Sequence, residues 1–458
     1  MTLMEDMKRL RFLPSLKSKR SDVAIAFYYS NVNKYSINVL VAALDFRLGD
    51  VDIYLANGPI DSLLELVLSL KEKYRLIILC VSLLSTQLAL ILNELRDLLE
   101  KLRLLRRRGA NIVTIAGGPH PTADPCGSLK LGFDYVVMGE GEETLPDLIR
   151  SLRDHEDVHE VKSIVIFEDG EYVYTGPRGK IILDEYPPFP FWRGLFNPIE
   201  LMRGCSFTCT FCQTPFLHGA SPRFRSLDCV KFYAEKFFHL GLRDLRFISP
   251  NALAYMSKCA SKPNVLMLEE FLHTLRTLAG KYGGRIFYGS FPSEIRPEYI
   301  SEETVDVLRK YTDNRSIVIG AQSGSMRVLK AIRRGHTVDD IVNSVKLALS
   351  KGFKVNVDFI FGFPFEEKED FEESLKLAEY LTGLGARIHA HAFIPLPGTP
   401  LQNTTPKRIP VEVRLRLAKL IGEGKLFGQW EAQEKIALRI VELRRKNIFM
   451  TRCAMRSP

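Results

Sequence analysis

Arg203-Gly204-Cys205-Ser206-Phe207-Thr208-Cys209-Thr210-Phe211-Cys212 places three of the chain's eight cysteines at the spacing Cys-x3-Cys-x2-Cys. Thiolates are the usual ligands of iron–sulfur cubes, and a closed cube takes four of them. Three leave one iron open, and an open metal position is where chemistry can occur. Zinc sites pair two short Cys/His steps, and no second CxxC or HxxxH follows this triplet. A ferredoxin-like carrier wants a fourth cysteine, and the later Cys229 and Cys259 fall in separate segments. The triplet Cys205, Cys209 and Cys212 therefore points to a [4Fe-4S] cluster with one free coordination site. Phe211 stands where a ring would keep water from it.

Outward from the triplet, short apolar runs alternate with helical stretches. Ile199–Met202, Leu245–Ile248, Arg285–Tyr288, Ile317–Ile319, Val355–Phe359 and Ile388–Phe393 read as strands, with helices such as Val265–Ala279 and Asp339–Ser350 between them. Six βα units predict a partial (β/α)6 TIM-type barrel, in which chemistry sits at the C-terminal strand ends. The triplet follows the first strand.

The triplet and the segments at these strand ends resemble the radical S-adenosylmethionine (SAM) superfamily. The resemblance implies that the open iron chelates the amino and carboxylate groups of SAM, and that one electron then releases a 5′-deoxyadenosyl radical. Residue by residue it implies SAM contacts at Phe211, at Ser249 and Asn251 after the second strand, and at Ser290 and Arg296 after the third. A guanidinium fork at Arg296 suits the SAM carboxylate; the alternative is a surface arginine opening a helix. After the fourth strand, Gln322 stands where many relatives carry a ribose-binding glutamate, and it keeps an acceptor oxygen. Asp358-Phe359-Ile360-Phe361-Gly362-Phe363-Pro364 follows the fifth strand, and the resemblance implies that its Gly-Phe-Pro turn shapes the adenine pocket by backbone contacts. His389 and His391 alternate with alanines and share one face of the sixth strand. They read as packed histidines or as a substrate-facing acid/base pair, packing being the commoner fate.

The first third of the chain also alternates. Val23–Tyr29, Val51–Ala56, Leu76–Val81, Ile112–Ala116 and Tyr135–Met138 are strand-like, and five βα units imply a doubly wound, Rossmann-like parallel sheet. Gly117-Gly118-Pro119-His120-Pro121 and Gly139-Glu140-Gly141-Glu142 follow its fourth and fifth strands. This wording, with Ser82-Leu83-Leu84, resembles the cobalamin (B12)-binding domains fused to radical SAM barrels. It implies cobalamin contacts at Ser82, Gly117, Gly118, His120, Gly139 and Glu140. The family's Asp-x-His-x-x-Gly, whose histidine ligates cobalt, has no counterpart in Tyr29-Ser30-Asn31-Val32-Asn33-Lys34-Tyr35-Ser36-Ile37-Asn38. The expected organisation is a cobalamin-type domain over 20–155, a β-hairpin and proline-rich linker over 156–195, the radical SAM barrel over 196–400, and a basic helical extension over 401–458.

A chain of 458 residues with 46% hydrophobic content has room for real cores. Eight cysteines without a paired framework argue for a reducing cytoplasm, and Cys126, Cys229, Cys259 and Cys453 receive no ligand role. Met1 to Arg20 lacks an apolar signal-peptide core. The uncharged stretch from Leu76 to Leu92 is interrupted by Ser82, Ser85, Thr86 and Gln87 and reads as a strand followed by a helix, not a membrane span. The net charge of +9, concentrated at Lys8 to Arg20 and Lys407 to Arg456, permits an anionic partner such as RNA without showing one.

These features lead to a radical SAM enzyme, with cobalamin-dependent methyl transfer to an unactivated carbon as the first expectation. The alternative keeps the radical chemistry without methyl transfer, as in cyclases or rearrangement enzymes. A tRNA methylthiotransferase would need three more cysteines in the N-terminal domain, which offers Cys80 and Cys126. The substrate is an unidentified small molecule or lipid, and a reductant such as ferredoxin or flavodoxin is implied.

Overall fold

The computed structural model describes residues 21–257, 262–451 and 453–456. The expectations placed on Lys8 to Arg20 and on Cys259 lie outside them. The chain forms two compact units, one running to Asn197 and resuming at Glu442, the other spanning Pro198–Val441.

The first unit is built on β1 (Val23–Tyr29), β2 (Asp52–Asn57), β3 (Leu76–Ser82), β4 (Ile112–Gly117), β5 (Tyr135–Val137), β6 (Ile164–Glu168) and β7 (Glu171–Tyr174), in the order β2-β1-β3-β4-β5-β6-β7. β1 and β3 are nearly continuous apolar runs because helices cover both faces of a parallel sheet. Helix Gly141–Asp154 brings Leu145, Leu148 and Ile149 to a core that includes Ile25, Phe27 and Ile78. The strand order reverses between β1 and β3, which defines the crevice where such sheets bind ligands.

Two features differ from the sequence expectation. The hairpin assigned to a linker is part of the sheet: β6 pairs antiparallel with β5 through Val136↔Val165, and β7 follows as the edge. The alternating apolar residues of β6 complete the same core, with Ile164 and Ile166 buried in it. The end of the chain also returns to this unit. The Phe449 ring lies 4.4 Å from that of His120, Met450 N–H donates to Asp124 Oδ2 at 2.7 Å, and Arg456 bridges β7. Cys453 is bonded to Cys126 with their Cα atoms 6.1 Å apart, across a sequence separation of 327 residues. No local spacing signals such a pair, which is why both cysteines read as unpartnered.

The second unit carries parallel strands β8 (Ile199–Glu200), β11 (Asp244–Ile248), β12 (Arg285–Phe287), β13 (Ser316–Gln322), β14 (Lys354–Phe361), β15 (Arg387–Ala392) and β16 (Leu426–Phe427). A small antiparallel pair, β9 (Met202–Arg203) with β10 (Arg223–Phe224), brackets the cysteine loop. Backbone bonds from Val318 N to Gly289 O and from Ile295 N to Val318 O join the β12 and β13 edges. Helix starts follow local chemistry: Ser301 with Thr304, and Thr337 with Asp340, form capping boxes. The strand β16 was unforeseen. Residues 401–441 belong to the barrel unit, and their Leu426 and Phe427 add a parallel strand beside Ile388 and His389.

Candidate active site

The cysteine loop leaves β9 and is fixed by its backbone. Gly204 has φ of 85°, and a Cβ there would lie 2.8 Å from Gly219 O, so only glycine lets the chain turn this tightly. Cys205 N–H then bonds Gly219 O at 3.1 Å, and Thr210 N–H bonds Ile332 O at 3.1 Å. Cys205 and Cys209 are buried and Cys212 is partly buried. Burial pushes the Cys205 thiol up to about 11 and raises that of Cys212, so without metal both stay protonated near neutrality.

Charge compensation comes from two buried arginines. Arg296 Nη1 and Arg334 Nη1 each lie 3.8 Å from Cys209 Sγ. Arg296 stacks 3.6 Å over the Phe207 ring and pairs with Glu298 at 2.6 Å. Arg334 pairs with Glu294 at 3.1 Å and donates to Gly320 O at 2.7 Å. Among the described residues the three sulfurs do not gather tightly enough to ligate a single ion, a set of atoms that Asp358, His389 and His391 alone provide. One zinc would draw its thiolates closer together. A wider three-thiol set beside two cations fits a polynuclear iron–sulfur cluster, whose net charge the guanidinium groups offset.

The cysteines open on a cavity of about 700 Å³ whose wall includes Phe211, Ser249, Arg296 and Gln322. Phe211 packs against Phe363, with ring centroids 5.8 Å apart. Ser249 Oγ donates to Asn251 O at 2.8 Å. Gln322 closes a bulged stretch of β13 at φ of 71°, and its Nε2 donates to Glu294 Oε2 at 3.3 Å. A non-glycine residue in that region is strained, and such strain collects at functional sites. Asn251 and Ser290 lie behind the wall: Asn251 Oδ1 accepts from Arg296 N at 3.4 Å, while Asn251 Nδ2 and Ser290 Oγ are buried without a partner. Asp358, His389 and His391 also face the cavity, with Gln433 and Phe427 beside them.

In the first unit Ser82, Gly117, Gly118 and Gly139 lie at or just past strand ends. Gly139 has φ of 74° and open space where a side chain would be, a place for a ligand to approach the backbone. Ser82 Oγ meets Ser36 Oγ at 3.1 Å. The side chains of His120 and Glu140 turn inward. His120 bonds Ser85 Oγ through Nδ1 at 3.0 Å, and burial holds it neutral, down to about 3. Glu140 Oε2 accepts from Ile181 N at 3.0 Å. At the crevice between β1 and β3, buried Asn33 donates to Tyr28 O and Ser82 O at 3.0 and 3.2 Å, where a histidine would be needed to ligate cobalt. These residues fit a corrinoid held by backbone and hydroxyl contacts, with no imidazole for its metal.

Sequence reading passed over Arg334, Glu294 and Gln433. Arg333 and Arg334 are adjacent and alike in sequence, and only the fold turns the second inward.

Fold and site together define an enzyme with two units, one a barrel that carries a three-thiol cluster loop and the other built on a Rossmann-like sheet. Residues 199–378 match the family model of the radical SAM superfamily, and residues 21–149 match that of the B12 binding domain. A putative methylthiotransferase of Methanocaldococcus jannaschii is 27% identical over 251 residues, 53% of this chain and 52% of that protein. The threonylcarbamoyladenosine tRNA methylthiotransferase of Thermotoga maritima is 26% identical over 348 residues, 72% and 74% of the two chains. The chain spans about half the length of several curated relatives it matches. In fold it is similar to the radical SAM methyltransferase TsrM of Kitasatospora setae, solved with cobalamin and a [4Fe-4S] cluster, at a TM-score of 0.64 and 17% identity, over 84% of this chain and 77% of that one. The chain thus pairs an N-terminal stretch of B12-binding type, over 21–149, with a radical SAM domain over 199–378.

Proposed function

We propose that this enzyme is a cobalamin-dependent methyltransferase acting on an unactivated carbon. The observation that carries the reading is the union, in one chain, of a three-thiol loop open to a large cavity and a B12-type sheet without a cobalt-ligating histidine. The solved fold named as a methyltransferase supports it.

When bound, the cluster and SAM supply a 5′-deoxyadenosyl radical, and cobalamin supplies the methyl group. The chain's own residues hold and shield these groups. Cys205, Cys209 and Cys212 ligate the cluster, and Phe211 keeps water from it. Arg296 and Arg334 place two cations at Cys209, which favours binding of anionic sulfur and of the SAM carboxylate. Ser249 and Gln322 offer polar contacts from the cavity wall. Ser82, Gly117, Gly118 and Gly139 would hold the corrinoid at the ends of β3, β4 and β5. An external reductant such as ferredoxin or flavodoxin delivers the electron.

The methylthiotransferase names among the relatives raise a second reading. It requires a second cluster on three N-terminal cysteines. Among the described residues the first unit offers Cys80, buried within β3, and the bonded pair Cys126 and Cys453. No helix among the described residues is long and apolar enough to cross a membrane.

The test is anaerobic purification, cluster reconstitution and incubation with SAM and reductant, with cobalamin content followed by optical and EPR spectra. Stoichiometric cobalamin without histidine ligation, and S-adenosylhomocysteine alongside 5′-deoxyadenosine, are expected. SAM cleavage to 5′-deoxyadenosine and methionine by protein that retains no cobalamin would overturn methyl transfer in favour of cyclisation or rearrangement chemistry.

A further inference from the structure

Asp358 on β14 and His389 on β15 are register partners, and His391 follows two residues on, so all three side chains share the inner face of the barrel. His389 Nδ1 lies 3.0 Å from Asp358 Oδ1, His391 Nε2 lies 3.2 Å from His389 Nδ1, and His391 Nε2 is 3.9 Å from Asp358 Oδ1. Such a triangle has two chemical readings: ligands of a divalent cation, or a carboxylate orienting imidazoles.

Hydrogen bonding chooses between them. Ala392 N–H donates to Gln433 Oε1 at 2.9 Å, which fixes the amide and turns its Nε2 toward His391 Nδ1, at 3.2 Å. His391 Nδ1 is therefore an acceptor, and in the neutral ring the proton sits on Nε2, facing into the triangle. A proton there blocks the lone pair a metal would take. Asp358 is the acceptor of the group. Burial pushes its carboxyl up, yet the bonds from His389 and His391 outweigh this and hold it below the ordinary value. The carboxylate can only accept, so Nδ1 of His389 carries the proton of their 3.0 Å bond, the Nε2–H of His391 is directed to the same oxygen and not to His389, and the lone pair of His389 lies on Nε2. That nitrogen has no hydrogen-bond partner among the described residues, and the side chain, stacked on Phe427, keeps 30% of its surface exposed on the cavity wall.

The geometry points to His389 as a general base, with Asp358 as its positioning residue, for an O–H or N–H group of a largely apolar substrate bound in the barrel cavity. Phe393, Phe427, Ile360 and Leu396 give this part of the wall its apolar character. In the step, the heteroatom–hydrogen bond breaks with its electron pair left on the heteroatom. The proton forms the Nε2–H bond of an imidazolium facing the Asp358 carboxylate, and it passes to water when product leaves. No oxidant or reductant is involved. Gln433 fixes the tautomer of His391 beside the Asp358 and His389 pair. The inference rests on substrate occupying this cavity and is independent of methyl transfer.

The experiment maps diethyl pyrocarbonate modification of the full-length, cluster-reconstituted protein at neutral pH by peptide mass spectrometry. This probe acylates an accessible imidazole lone pair. His389 should react several-fold faster than His391, whose two nitrogens are occupied. Asp358→Asn should slow His389 with iron content and melting temperature retained, and His391→Gln should leave His389 reactive. One equivalent of Zn²⁺ or Fe²⁺ should change nothing. Equal rates at the two histidines, or an inert His389, would overturn the assignment. Retention of one Zn²⁺ or Fe²⁺ beyond the cluster iron, lost in His389→Gln, would overturn it in favour of a metal site. The readout needs no methylated product, so failure of methyl transfer and failure of the base are separately visible.

Discussion

Replacing Arg334 by glutamine tests the electrostatic reading of the cluster site. The guanidinium is buried and stands 3.8 Å from Cys209 Sγ. At an effective dielectric constant near 20, a unit charge at that separation interacts with a thiolate by about 4 kcal/mol. With about 59 mV for every 1.4 kcal/mol in a one-electron couple, removing it lowers the reduction potential by at most about 170 mV. Delocalisation reduces this, because the added electron spreads over the cluster instead of resting on one sulfur. The expected shift is on the order of 50–100 mV to more negative potential. Potentiometric titration followed by EPR measures it, with iron and sulfide analysis to show equal cluster occupancy. Arg334→Lys, which retains the charge, should shift it far less. An unchanged potential in Arg334→Gln at full occupancy would refute the reasoning, because no buried unit charge this close can be electrostatically silent.

Gln322→Glu places a second carboxylate against Glu294 in place of a donated hydrogen bond of 3.3 Å. It should cost about 1–3 kcal/mol, read as a melting-temperature drop of several degrees; Glu294→Gln in the same chain should recover most of it. Glu366 is held up to about 8, chiefly by burial, although Gly362 N and Phe363 N donate to it. Because its folded-state value lies above the ordinary 4.5, the folded form favours the protonated acid. Its contribution is complete below pH 4.5 and is lost as pH rises toward 8, so Glu366→Gln should flatten the fall of thermal stability across that window. Equal slopes in the two proteins would remove Glu366 from the account. Gly118→Ala brings a Cβ to 2.7 Å from Ser82 Oγ and 3.1 Å from Leu83 N at φ of 91°. It should cost about 2–3 kcal/mol by denaturant unfolding and reduce cobalamin retention, whereas Gly139→Ala, with open space around it, should lose cobalamin with less loss of stability.

What could be read from the sequence followed the range of the forces involved. The triplet from Cys205 to Cys212 is local, and both its spacing and its missing fourth thiol can be read within ten residues. The parallel sheets were legible because full burial forces unbroken apolar runs such as Leu76–Ser82. β16 was not: Leu426 and Phe427 form a strand of two residues, too short for any periodicity, and exist as a strand because β15 offers an open edge. Arg334 and Gln433 were invisible for a related reason. A buried arginine is tolerated only where fixed anions meet it, and Glu294 lies 40 residues upstream. Gln433 is one more polar residue of an amphipathic helix until Ala392 N–H, 41 residues earlier, fixes which end of its amide faces His391. The sequence thus names the groups that can do chemistry, while their protonation is decided by partners the fold supplies. For that reason the alternation of His389 and His391 admitted catalysis beside the commoner fate of packing, and the orientation of one glutamine separates a base from a metal ligand.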